Sequence, residues 1–98
     1  MNSKIKSKDV DFLFDAILQL KTREECYMLF EDLCTVQEMK ALSQRLVVAK
    51  MLSEGRVYSD IVKNTGASTA TISRVKRSLD YGCDSYSMVF GRMEDEEK

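Results

Sequence analysis

Between Tyr58 and Ser78 the sequence reads YSDIVKNTGASTATISRVKRS, in which a glycine ends one short helical pattern just before another begins. No other stretch limits the fold so strongly. In the first pattern Ile61 and Val62 supply the inward face, Asp60, Lys63 and Asn64 stay in water, and Ser59 stands where an N-cap belongs. Gly66 falls where a left-handed residue would close that helix, because glycine has no Cβ to clash at positive φ. Ala67 is small enough for two helices to approach closely. Ser68 can cap the second helix, whose inward positions Ile72, Val75 and Leu79 are spaced three and four apart. Two short helices across such a turn are the organisation of a helix-turn-helix, although a structural corner between helices shares the outline.

The outward residues distinguish the two. They are Thr69, Ala70, Thr71, Ser73, Arg74, Lys76 and Arg77: small side chains near the helix start and basic ones further along. That order suits insertion into a DNA groove. Ser68, Thr69, Ala70, Thr71, Ser73, Arg74 and Arg77 are the expected DNA contacts, with Lys63 and Lys76 supporting the phosphate backbone. The chain as a whole has a net charge of −1, which argues against a non-specific nucleic-acid coat. From Arg56 to Ser78, however, the bases Arg56, Lys63, Arg74, Lys76 and Arg77 face only Asp60, while the acids gather at Glu94, Asp95, Glu96 and Glu97. A protein-interaction module that kept this shape without reading DNA is the alternative.

The remainder reads as one all-α domain over residues 1–98. With 98 residues, four glycines and no proline, the chain offers few interruptions to helix. Val10 to Leu20 forms a first helix with Asp9 as its cap. Thr22-Arg23-Glu24-Glu25 has the capping-box form and opens a second helix reaching about Leu33. Thr35-Val36-Gln37-Glu38 repeats the form and opens a longer third that ends before Gly55. With the two helices of the motif that makes five, or six if the residues from Cys83 onward add another. Residues 92–98 read as a disordered acidic tail.

Apolar supply exceeds what one small domain can cover. Around the first helix only Asp11, Asp15 and Gln19 form a polar stripe, while Val10, Phe12, Leu13, Phe14, Ile17, Leu18 and Leu20 take most of the circumference. Tyr27, Met28, Leu29, Phe30 and Leu33 in the second helix, and Met39, Leu42, Leu46, Val47, Val48, Met51 and Leu52 in the third, continue the pattern. Residues 9–55 therefore read as dimerisation helices and 58–79 as the helix-turn-helix, with a compact monomer built around the first helix as the alternative. A two-fold dimer would set its reading helices about 34 Å apart, matching a palindromic operator in double-stranded DNA.

Other chemistries find little support. With no histidine there is no imidazole base and no Cys/His zinc pattern, so neither catalytic nor metal-ligating residues are assigned. Cys26 and Cys34, eight residues apart on one expected helix, are too distant for a disulfide within it and read as core thiols. No signal peptide or membrane span is legible, and a cytoplasmic location is expected.

From Thr35 to Gly82 the chain reads TVQEMKALSQRLVVAKMLSEGRVYSDIVKNTGASTATISRVKRSLDYG. This resembles the Trp repressor superfamily, and within it the bacterial YerC/YecD-like branch, most specifically in ALSQRLVVAKML and TGASTATISRVKRSLDYG. The resemblance implies an all-helical, interlocked homodimer that binds operator DNA through the helix-turn-helix, a transcriptional regulator of the repressor kind and not an enzyme. In tryptophan-responsive members the corepressor lies between the long helix and the reading helix. Arg45, Arg74, Thr35 and Ser78 match residues of that ligand pocket. After Arg74, however, those members carry glycine where this chain has Val75, which also belongs to the inward face of its helix. Regulation without tryptophan, and no cofactor, is therefore the expectation; Arg45 could instead pair with Glu38 or Glu54, and Arg74 could serve DNA phosphate alone.

Overall fold

The computed structural model describes residues 3–97, which among them form six α-helices and no strand. After a 3-10 turn at Ser3–Ile5 come α1 (Lys8–Ile17), α2 (Arg23–Leu33), α3 (Val36–Ser53), α4 (Tyr58–Thr65), α5 (Thr69–Tyr81) and α6 (Ser85–Glu97). The all-α expectation holds, and the sixth helix is present. No helix among the described residues is long and apolar enough to cross a membrane.

Side-chain caps set the early boundaries. The Ser7 hydroxyl accepts the Val10 amide at 3.1 Å, so α1 opens two residues before the expected Val10 and Asp9 lies inside the helix instead of capping it. It also ends earlier than Leu20. The amides of Gln19 and Leu20 turn to the carbonyls of Ala16 and Ile17, three residues back, and this tightened end is no longer α-helix. Thr22 caps α2 by accepting the Glu25 amide at 3.1 Å, while the Glu25 carboxylate takes the Lys21 amide at 2.8 Å, one residue outside the standard capping box. Thr35 and Glu38 form the reciprocal box as expected: Thr35 Oγ1 accepts the Glu38 amide at 3.1 Å, and Glu38 Oε1 accepts the Thr35 amide at 2.8 Å.

The contacts divide the chain into two compact units, one up to Met39 and one from Lys40 on, with α3 running through the division. In the first, no described residue is buried, and Phe12 and Leu18 are each 77% exposed. Two expectations fail in this stretch. Cys26 is exposed and Cys34, the C-cap of α2, is half-buried, so neither is a core thiol.

The second unit has a core of its own. Val48, Ala49 and Met51 from α3, Ile61 from α4, Ala67 from the turn, Ile72 and Val75 from α5, and Phe90 from α6 are buried together. Phe90 explains why the acidic end is helical and not disordered. Its ring stacks on Tyr86 at 6.0 Å between centroids, Lys50 Nζ lies over it at 5.1 Å, and the same ammonium reaches Glu94 at 3.6 Å. Anchored there, α6 continues through the acids to Glu97; Lys98 lies outside the described residues.

Candidate nucleic-acid interface

The helix-turn-helix is built from α4, a three-residue turn and α5. α4 opens on Val57, which offers no side-chain cap, and Ser59 falls inside the first turn of the helix, not at its boundary. Burial of Ile61 substitutes for the missing cap. Val62, expected to share that inward face, is 38% exposed, because one helical step turns it some 100° away from Ile61. At the far end Thr65 Oγ1 donates to the Ile61 carbonyl at 2.7 Å and accepts the Ala67 amide at 3.1 Å. Gln44 of α3 donates from Nε2 to the Thr65 carbonyl at 3.1 Å, a bond that ties the long helix to the end of α4.

Gly66 then turns the chain with φ +70°, the left-handed conformation expected there, and its amide closes on the Val62 carbonyl. Ala67 is buried at the turn. Ser68 caps α5: its Oγ accepts the Thr71 amide at 3.1 Å and donates to Thr71 Oγ1 at 3.1 Å. Ile72 and Val75 point into the core and Leu79 is half-buried, as their spacing requires.

What faces outward is now specific. Thr69, Ala70, Ser73, Arg74 and Arg77 are exposed along one side of α5, and Lys63 is exposed on α4. The hydroxyls of Ser68 and Thr71 are engaged with each other at the cap, and Thr71 is half-buried, so both serve first to fix the helix start. Lys76 is exposed but held at 3.1 Å by Asp80, one turn along. Asp80 thus engages a basic side chain of α5 as Asp60 engages Arg56 beside α4. Asp60 braces α4 from outside, taking Arg56 at 2.5 Å while Asn64 donates to both its carbonyl and its carboxylate. Both pairs sit four residues apart, a spacing visible in the sequence.

The pocket residues inferred from family resemblance are occupied differently. Val75 is 2% exposed and packs in the core with Val48, Ile61 and Ile72. Arg45 Nε donates to the Ala41 carbonyl of its own helix at 3.3 Å, not to Glu38 or Glu54, and Ser78 Oγ donates to the Arg74 carbonyl at 3.3 Å. Thr35 has both its amide and its hydroxyl committed to Glu38. The Thr35 backbone amide, and after it the Thr35 hydroxyl, hold the Glu38 carboxyl below the usual glutamate range. Arg74 is exposed on the outward side of α5.

Comparison with known proteins agrees across nearly the whole chain. The family model for the Trp repressor protein matches residues 8–94. The uncharacterized protein YerC of Bacillus subtilis (strain 168) is 55% identical over 94 residues, covering 96% of this chain and 90% of the relative. A Staphylococcus aureus protein whose crystal structure was described as that of a candidate Trp repressor superposes with a TM-score of 0.91 at 57% identity, covering 96% of this chain and 95% of that one. A TrpR-like protein from Eubacterium eligens ATCC 27750 gives a TM-score of 0.91 at 58% identity, with 95% and 96% covered.

Proposed function

Because this chain belongs to the Trp repressor family, we propose that it is a sequence-specific DNA-binding transcriptional repressor that works as a homodimer in the cytoplasm and needs no tryptophan. The observation that carries the reading is the outward side of α5, where Thr69, Ala70, Ser73, Arg74 and Arg77 stand free above a turn fixed by Gly66 and Ser68. Small side chains at the helix start admit close approach to base edges, and the guanidinium groups further along match guanine or phosphate in paired hydrogen bonds. Lys63 and Lys76 add backbone contacts, the latter once it leaves Asp80.

Independence from tryptophan rests on Val75. A corepressor lying against the reading helix needs backbone room after Arg74, and here a branched side chain buried in the core stands in that position. Dimerisation is supported by the first unit, where no described residue is fully buried and Phe12, Leu18, Tyr27 and Met28 are exposed. In this reading the two units act together as one DNA-binding domain, and its two-fold symmetry selects a palindromic operator.

The test is selection of fragments from the source genome by the purified protein at physiological salt, with and without L-tryptophan. A palindromic sequence enriched equally in both conditions is expected. Enrichment only with tryptophan would overturn the reading of Val75. No enrichment in either would favour a protein-interaction module that keeps the same shape.

A further inference from the structure

We propose that Lys40, outside the helix-turn-helix, is a contact to the DNA phosphate backbone; this rests on the DNA-binding reading above. Lys40, Ser43, Gln44 and Val47 recur at intervals of three and four along α3 and so form one stripe, which meets Asn64 and Thr65 at the end of α4 to line an open cavity of about 380 Å³. The donors of this lining are largely spent inside the protein. Gln44 Nε2 is bound to the Thr65 carbonyl, Thr65 Oγ1 to Ile61, Ser43 Oγ to the Lys40 carbonyl, and Asn64 Nδ2 to Asp60. The cationic group of the cavity is the Lys40 ammonium, exposed and, among the described residues, in no ion pair. Lys50, Arg56 and Lys76 in the same unit each hold an acid.

Position gives that ammonium a role. Thr65 and the α5 cap Ser68 are three residues apart, so their Cα atoms are within about 11 Å at full extension. A major groove is about 12 Å wide. When the start of α5 enters the groove, a cation of the cavity that Thr65 lines is therefore within reach of the phosphates that flank it. Lysine suits this task, being a flexible point charge with no demand for paired geometry. The competing role is structural: Lys40 shares the cavity with Asn64 and Thr65 at the C-terminal end of α4, whose partial negative charge would favour a cation there.

The experiment is a salt series of binding to the selected operator and to competitor DNA, with the full chain and its K40Q, K40R and R77A variants, alongside thermal melts of each. Each released phosphate contact lowers the slope of log affinity against log salt by about 0.9, so with two copies per operator K40Q should flatten it by about 1.8. Its loss of affinity should be the same factor on both DNAs, and K40R should restore binding. If R77A weakens operator binding while K40Q leaves the slope unchanged, the proposal is wrong and the DNA-binding reading stands. An unchanged slope with a lowered melting temperature would assign the ammonium to α4 and overturn it equally. Should the unsubstituted protein show no salt-dependent binding, with R77A indistinguishable from it, the DNA-binding reading itself fails and takes this proposal with it.

Discussion

From Lys40 onward Val48, Ala49, Ile61 and Ile72 are fully or almost fully buried, whereas before Lys40 no described residue is buried at all. The contrast extends to how helices are started. α1 and α2, and α3 at its opening, each begin on a hydroxyl that accepts an amide three residues on. In the second unit α5 begins the same way on Ser68, but α4 has no side-chain cap and is held by Ile61. The first unit thus has its local caps, worth about 1 kcal/mol each, without a buried residue, whereas the second adds a shared core to them. Local caps define where helices begin but do not offset the cost of leaving Phe12, Leu18, Tyr27 and Met28 in water. In the homodimer proposed above, a second copy would cover this apolar surface.

The largest effect should come from the self-contained core. Ile61→Ala removes a fully buried side chain that braces an uncapped helix, and a loss of about 2–5 kcal/mol is expected in urea titration. A loss below about 1 kcal/mol would mean that the second unit does not depend on this core. The complementary variant is Phe12→Glu, which disturbs nothing buried within one chain. If a second copy covers this helix, the variant should sediment as a monomer. It should also forfeit a concentration-dependent gain of about 2.7 kcal/mol at a hundredfold excess over the dissociation constant. A change within about 0.5 kcal/mol, with no concentration dependence in the parent, is what an ordinary exposed position would give, and it would erase the distinction drawn between the two units.

The same contrast explains what the sequence made legible. Gly66, Ala67 and Ser68 announce the turn because each answers a local demand: positive φ, close approach and a cap. Ile72 and Val75 announce their face by spacing alone. The Thr35–Glu38 box is equally local, and its pattern is legible in the sequence. The misreadings arise where a distant residue or a competing neighbour decides. Ser59 looks like a cap, but Ile61 burial lets α4 start two residues earlier, on Val57. The acids after Met93 look disordered, but Phe90 and the Lys50–Glu94 pair hold that helix to α3. Asp9 offers an equally good cap two residues after Ser7, but the Ser7 hydroxyl takes the role. In the candidate site the outward residues of α5 follow from periodicity, whereas the engagement of Lys76 by Asp80 and of Gln44 by Thr65 depends on side-chain conformation.

The smallest expected effect tests whether the caps of the first unit carry stability of their own. Glu38 is exposed, yet its carboxylate accepts the Thr35 amide, and that bond first and the Thr35 hydroxyl second hold its pKa below the usual range. A carboxyl more acidic in the folded state than in the unfolded one stabilises the fold above its unfolded pKa. That contribution begins to fade as pH falls into the ordinary glutamate range, about pH 4 to 5. It is gone once pH passes below the folded value. Glu38→Gln keeps a side-chain acceptor but not the charge, so the variant should melt slightly lower than the parent at neutral pH and converge with it in acid. Because the group is in full contact with solvent, salt should shrink the difference as well. A gap that persists unchanged in acid would trace the effect to side-chain geometry instead of charge, and would place the start of α3 under the control of packing, as α4 is.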